Sequence, residues 1–153
     1  MLMLVGAQVK YPVTVKILSI GNSFSEDALY YLYDIAESAG VNVVAGNLYY
    51  SGCSLKIHDE NAKKNIKAYS YHKWTSEGMT IEEDKTMKEV ILDEKWDYIT
   101  FQQSSEDSGL YGTYQPYLNN LINYVKSLRP NAKFAVNMTW AYSEDSRNNG
   151  FAN

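Results

Sequence analysis

Cysteine is nearly missing from this chain of 153 residues: Cys53 is the only one. That excludes an internal disulfide framework and any multi-cysteine metal site. Histidine is almost as scarce. His58 and His72 are the only two, so imidazole chemistry within this sequence must use one of them. No apolar run approaches the ~20 residues of a membrane-spanning helix. An excess of positive charge is missing too. Fourteen Lys and Arg stand against 18 Asp and Glu, a formal net charge of −4. The basic residues are scattered, which leaves no electrostatic footprint for nucleic acid. Repeats, low-complexity runs and linkers are absent as well.

What is present fits one globular domain. Apolar residues make up 45% and charged residues 21%, and 153 residues suffice for a single sizeable core but not for two ordinary ones. The apolar start, Met1 to Gln8, reads either as the tail of a clipped signal peptide or as a frayed end. The compartment stays open, with export slightly favoured over the cytoplasm. Tyrosine is over-used, at 14 residues. Tyrosines lining a cleft would favour a sugar-like ligand, because their flat faces give contact area at low entropy cost. Core packing explains them equally well.

Residues 14–20 (TVKILSI) are apolar and β-branched and end at Gly21, as a buried parallel strand does. A helix is predicted over 26–39, capped by Ser25 and closed by Gly40. A second strand is predicted over 41–50, with a bend or bulge at Gly46. The pattern weakens over 56–83, where 68–74 and 79–83 read as a hairpin inserted beside the sheet. A short helix over 85–94, a third strand over 96–102, a helix over 114–128 and a fourth strand over 133–138 follow. Strands alternating with helices predict an α/β three-layer αβα sandwich with a parallel, flavodoxin-like sheet. In such sheets ligands sit at the carboxyl ends of the strands. Those exits read GNSFS, SGCS, QQSS and TWAY, all rich in small or hydrogen-bonding residues.

Ser23 sits in the first exit turn, before a helix whose free N–H groups and dipole can stabilise an oxyanion. Gly21 there offers backbone angles that other residues avoid. Helix capping by Ser23 and Ser25 accounts for the same motif. Cys53 reads as a small buried side chain. Acid pairs such as Glu106-Asp107 and Glu144-Asp145 read as solvated loops, since no spacing brings two carboxylates to one glycosidic bond.

At ILSIGNSFS the sequence resembles the SGNH (GDSL-like) hydrolases, whose first block is Gly-Asp-Ser with a following serine. The resemblance puts Ser23 at the nucleophile position, with Asn22 replacing the usual aspartate. Gly52 falls where the family's second-block glycine donates its N–H to the oxyanion hole. The third block, Gly-x-Asn-Asp, corresponds to Phe101-Gln102-Gln103-Ser104-Ser105, which lacks the asparagine. A glutamine amide could supply that donor, Gln103 first and Gln102 next, and strand alternation lets only one of them face the site. Both could instead cap the strand end. A bacterial, uncharacterised branch with similar GNSFS, GCSL, WDYI-QQ-S and TWAY segments is the nearest look, over residues 15–142.

The departure is at the end. The family's Asp-x-x-His block, which supplies the general base, has no counterpart here, and a serine without a positioned base is a weak nucleophile. A fragment of a longer protein is favoured over an improvised base, and the 153 residues alone are expected to be nearly inactive. His58 is the improvised candidate, against a bland role as a loop histidine. His72 reads as structural or substrate-flanking. Asn22, Trp140 and Tyr142 are expected to bind substrate, though core packing suits the last two as well. The resemblance implies a serine esterase acting on small acyl, acetyl-like esters of carbohydrates, without metal or organic cofactor. The rival is a non-catalytic carbohydrate-binding or interaction module on the same fold. A nucleotide binder is disfavoured by the lack of a Gly-x-Gly-x-x-Gly or P-loop pattern. The expected partners are a small-molecule or carbohydrate ester, with neither nucleic acid nor membrane. Self-association through the edge of the fourth strand is also expected.

Overall fold

The computed structural model describes residues 13–139. At its centre runs β1 (Thr14–Gly21), which grows more buried toward its exit. The chain continues through α1 (Ser23–Tyr30), α2 (Leu32–Ser38), β2 (Asn42–Tyr49), α3 (Leu55–Lys64), β3 (Tyr69–Thr75) and β4 (Gly78–Lys85). Then come α4 (Met87–Asp93), β5 (Tyr98–Gln102), a 3-10 turn (Tyr111–Thr113), α5 (Tyr117–Leu128) and β6 (Lys133–Asn137). The six strands form one sheet in the order β4-β3-β2-β1-β5-β6. The pairs β1–β2, β1–β5 and β5–β6 are parallel, while β3 and β4 add an antiparallel hairpin beyond β2.

Two-residue alternation divides each strand between two faces. On one face Leu18, Ile20, Leu48, Tyr71, Ile99 and Phe101 pack against Leu55 of α3, Val90 and Ile91 of α4, and Leu121 and Val125 of α5. On the other, Val43 and Ala45 meet Leu29 of α1 and Ala36 of α2. Each large apolar side chain removed from water contributes roughly 1.5–3 kcal/mol, so both faces need their cover. The result is the α/β three-layer architecture. The chain moves outward from β1 in both directions, to β2 by way of α1 and α2 and to β6 by way of α5, so the strand order reverses beside β1. The carboxyl ends of β1 and β5 flank that switch point, where open α/β sheets bind ligands.

Several elements differ from expectation. The helix predicted over 26–39 starts earlier and breaks at Tyr31 into α1 and α2. Asn22, not Ser25, caps α1, because its side chain accepts from the Phe24 N–H. The weak stretch after residue 56 contains a full helix, α3. Ser54 caps it and Asn65 ends it in the left-handed conformation at φ 49°. Its buried face includes His58, Asp59 and Asn61, and these polar residues disguise the helical period. Gly46 makes no bulge; β2 runs straight through it. A β-carbon there would stand 2.7 Å from Cη2 of Trp96, so the glycine makes room for that ring. Trp96 itself precedes β5, is buried, and donates its indole N–H to the Val90 carbonyl. The irregularity in the sheet lies instead between Tyr69 and Tyr71. The hairpin extends the sheet rather than lying beside it.

Candidate active site at the carboxyl edge

Asn22 is the hub of the first exit turn. It is 2% exposed, and its backbone carbonyl accepts the N–H groups of Ser25 and Glu26 at 3.0 and 3.2 Å. Its side-chain Oδ1 accepts from the Phe24 N–H at 3.2 Å and from Nε2 of Gln102 at 2.8 Å. Its Nδ2 donates to the Cys53 carbonyl at 3.2 Å. The Tyr50 N–H donates to the Gly21 carbonyl at 3.1 Å. The exits of β1, β2 and β5 are thereby tied together around one asparagine.

Ser23 is the first residue of α1 and is exposed at this edge. Among the described residues its hydroxyl and its N–H make no hydrogen bond, and the same holds for the Gly52 N–H. Gly52 is exposed and adopts φ 63°, a left-handed conformation that favours glycine. It precedes Cys53, whose carbonyl Asn22 holds. Two unused N–H donors and an exposed hydroxyl therefore sit on adjoining turns, beside the positive end of a helix.

Gly21 does not use special backbone angles. It has no positive φ; instead a β-carbon would lie 2.7 Å from Gln102 Oε1 and 2.7 Å from Ser25 Oγ. Ser25 is fully buried, with its Oγ 2.6 Å from the Asn22 carbonyl oxygen and 2.9 Å from Asn47 Oδ1. One hydroxyl hydrogen cannot serve two acceptors. With the Asn47 amide turned over, its Nδ2, otherwise buried without a partner, donates to Ser25 Oγ while the hydroxyl donates to the carbonyl. Asn47 was not singled out from the sequence. A lone amide inside the apolar run of β2 is the signal that marks it.

The two glutamines part as strand alternation requires. Gln102 turns toward Asn22, and its Oε1 also accepts from the Asn22 N–H at 3.4 Å. Gln103 turns toward α3, where its Oε1 accepts from the Leu55 N–H at 2.9 Å. Its Nε2 reaches the carbonyl and Oγ1 of Thr113 at 3.2 and 3.1 Å. Both side chains are buried and both amides are engaged. Gln103 spends its Nε2 on Thr113, and Gln102 spends one of its two amide hydrogens on Asn22 while lying fully buried, so the donors exposed at the edge are the backbone N–H groups.

The histidines lie elsewhere. His58 is fully buried; its ring stacks on Tyr69 and its Nδ1 is 3.1 Å from the Tyr69 hydroxyl. Its Nε2 has no partner among the described residues. Burial pushes its pKa down to about 3, so it is neutral at ordinary pH. His72, on β3, stacks on Tyr49, with Nε2 2.9 Å from Ser70 Oγ and Nδ1 3.5 Å from Glu26. Neither ring is hydrogen-bonded to Ser23. Burial raises the Cys53 thiol to about 12, the backbone hydrogen bond from His58 opposing it, so the thiol is no thiolate nucleophile. Trp140 and Tyr142 lie outside the described residues.

The family model of a domain of unknown function, DUF4886, matches residues 16–153. The chain belongs to the DUF4886 family. A DUF4886 family protein from Bacteroides uniformis ATCC 8492, known from its crystal structure, shares 38% identity at a TM-score of 0.84. The match covers 91% of this chain and 55% of that one. A family 3 carbohydrate esterase from Clostridium thermocellum shares the fold at a TM-score of 0.53 and 16% identity, over 81% of this chain and 61% of that one. No curated protein matches. This DUF4886 chain thus spans little more than half the length of the solved DUF4886 protein. The stretch that matches the family includes Ser23, Gly52 and both glutamines.

Proposed function

We propose that this DUF4886 chain carries the nucleophile and oxyanion donors of an SGNH-type serine esterase that hydrolyses small acyl esters, acetyl groups on carbohydrates in particular. The supporting observation is the exposed Ser23 at the start of α1 with two unspent backbone donors, its own N–H and that of Gly52, on adjoining turns of the carboxyl edge. Ser23 Oγ attacks the acyl carbon, and the charge developing on the carbonyl oxygen falls to these two N–H groups. The shared fold with a carbohydrate esterase is consistent with that chemistry. The general base is assigned to residues outside 13–139, since His58 is sealed in the core and His72 is engaged by Ser70 and Glu26.

Hydrolysis of an aryl acetate and of acetylated xylan by the intact protein is the test. Ser23→Ala is expected to lower turnover by at least about 10³-fold while leaving the fold unchanged. Equal turnover by the two proteins would remove Ser23 from the mechanism. The engagement of both glutamine amides favours a second reading, a carbohydrate-binding module that keeps the hydrolase fold without catalysis. Sugar binding that survives in a protein with no esterase activity would establish it.

A further inference from the structure

We propose that Asn22 and Gln102 form a positioning clamp that sets Ser23 against the Gly52 N–H, and that the clamp requires an amide, not a carboxylate, at position 22; this rests on the esterase reading above. Asn22 immediately precedes Ser23, and Cys53 immediately follows Gly52. The bond from Asn22 Nδ2 to the Cys53 carbonyl, 3.2 Å, therefore fixes the nucleophile turn relative to the donor turn with one residue to spare on either side. Gln102 holds Asn22 from the other flank, giving Nε2 to Oδ1 at 2.8 Å and taking the Asn22 N–H on Oε1 at 3.4 Å. Gln102 is itself fully buried. Gly21 completes the fit, because any β-carbon there would collide with Gln102 Oε1 at 2.7 Å.

An aspartate at 22 would keep the bonds from Phe24 and Gln102, since those need only acceptors. It would lose the donor to Cys53 and set an oxygen against a carbonyl oxygen. At 2% exposure it would also bury a charge. Burial and the facing carbonyl would raise its pKa, outweighing the two retained donor bonds that lower it. Once protonated, the acid could donate to the Cys53 carbonyl and restore the clamp. The replacement of the resembled family's aspartate by Asn22 thus follows from the partners around it. Asn22 and Gln102 act through Ser23 and Gly52 and need not touch substrate.

The test is Asn22→Asp in the intact protein, with kcat and KM for an aryl acetate measured from about pH 5 to pH 8. The expected result is kcat lowered about 10–100-fold at the alkaline end, the size of a small misplacement of reacting groups, with KM changed less than about threefold. The ratio of variant to wild-type kcat should rise as pH falls. Amide resonances of Ser23, Gly52 and Cys53 should shift in the variant and return toward wild-type positions at acid pH. Wild-type kcat at every pH together with unshifted resonances would overturn the clamp. If the wild type hydrolyses no ester, the esterase reading falls and the resonances alone decide the clamp. If Asn22→Asp does not fold, Gln102→Met, which removes both bonds to Asn22 at similar volume, carries the same kinetic and resonance measurements. Wild-type behaviour there would equally overturn the proposal.

Discussion

Gly21 is where close approach, not backbone freedom, selects a glycine. Its would-be β-carbon meets Gln102 Oε1, Ser25 Oγ and Ser25 Cβ at 2.7–2.8 Å, and the two oxygens are held by hydrogen bonds of their own. Gly21→Ala is therefore expected to destabilise the fold by about 1–3 kcal/mol, as overpacking does, read as a lowered urea midpoint at unchanged slope. His58 makes the second prediction at this scale. Its folded pKa of about 3 lies below the ~6.5 of an unfolded histidine, so the folded state binds fewer protons. The stability it permits is complete above about pH 6.5. Below that, the unfolded state takes up a proton that the folded state refuses, and stability falls toward pH 3 by up to about 1.4 kcal/mol per pH unit. His58→Leu should flatten the curve of unfolding free energy against pH over that window. An equally steep acid limb in the variant would show that His58 is not the group responsible. The sequence singled out Ser23, Asn22 and Gly52, which share one edge. It could not show that both glutamine amides are engaged, because Asn22 and Leu55 come from distant parts of the chain and Thr113 from across an irregular loop.

Elements were legible where their pattern was pure. The apolar runs of β1, β2 and β5 and the inward stripe of α5 follow the alternation and helical spacing that burial imposes. α3 did not, since three of its five buried residues are His58, Asp59 and Asn61. Buried polar groups with partners of their own, such as Asp59 with Lys63 one turn on and Asn120 of α5, look like surface in a one-dimensional pattern. The continuous helix over 26–39 failed although the alanines and leucines keep their spacing across Tyr31: the helix breaks there into α1 and α2, and α2 starts without a side-chain cap. α4 was anticipated, and its start shows how a short helix is held. Thr86 accepts from the Glu89 N–H while the Glu89 carboxylate accepts from the Thr86 N–H, a reciprocal capping box. These bonds hold the Glu89 carboxyl below its usual range. Thr86→Ala should cost about 1 kcal/mol, measured by thermal unfolding, and Thr86→Ser should recover most of it. No difference between Thr86→Ala and wild type would mean that packing of Val90 and Ile91 alone sets the helix.

Across the whole molecule the sheet has two edges of different character. β4 is exposed along nearly its full length but carries Glu82, Glu83, Asp84 and Lys85, charges that discourage strand pairing. β6 carries a single charge, Lys133 at its start. Val136 is 43% and Met138 83% exposed, and among the described residues nothing pairs with its outer side. The chain is accordingly expected to self-associate through β6, seen as a concentration-dependent mass in light scattering. Val136→Lys should return it to a monomer. A monodisperse wild-type monomer at high concentration would show that the edge is covered. The larger consequence of this architecture is that β1, β2 and β5 deliver their exits to one place, so that the consecutive Asn22 and Ser23 meet the left-handed Gly52 from a separate segment. In the proposed esterase Ser23 is the reacting group. Incubating the intact protein with a fluorophosphonate and locating the adduct by peptide mass spectrometry tests this most directly. A single stoichiometric phosphonyl adduct on Ser23 is expected, lost in Ser23→Ala. An adduct on any other residue, or none on a folded protein, would contradict it.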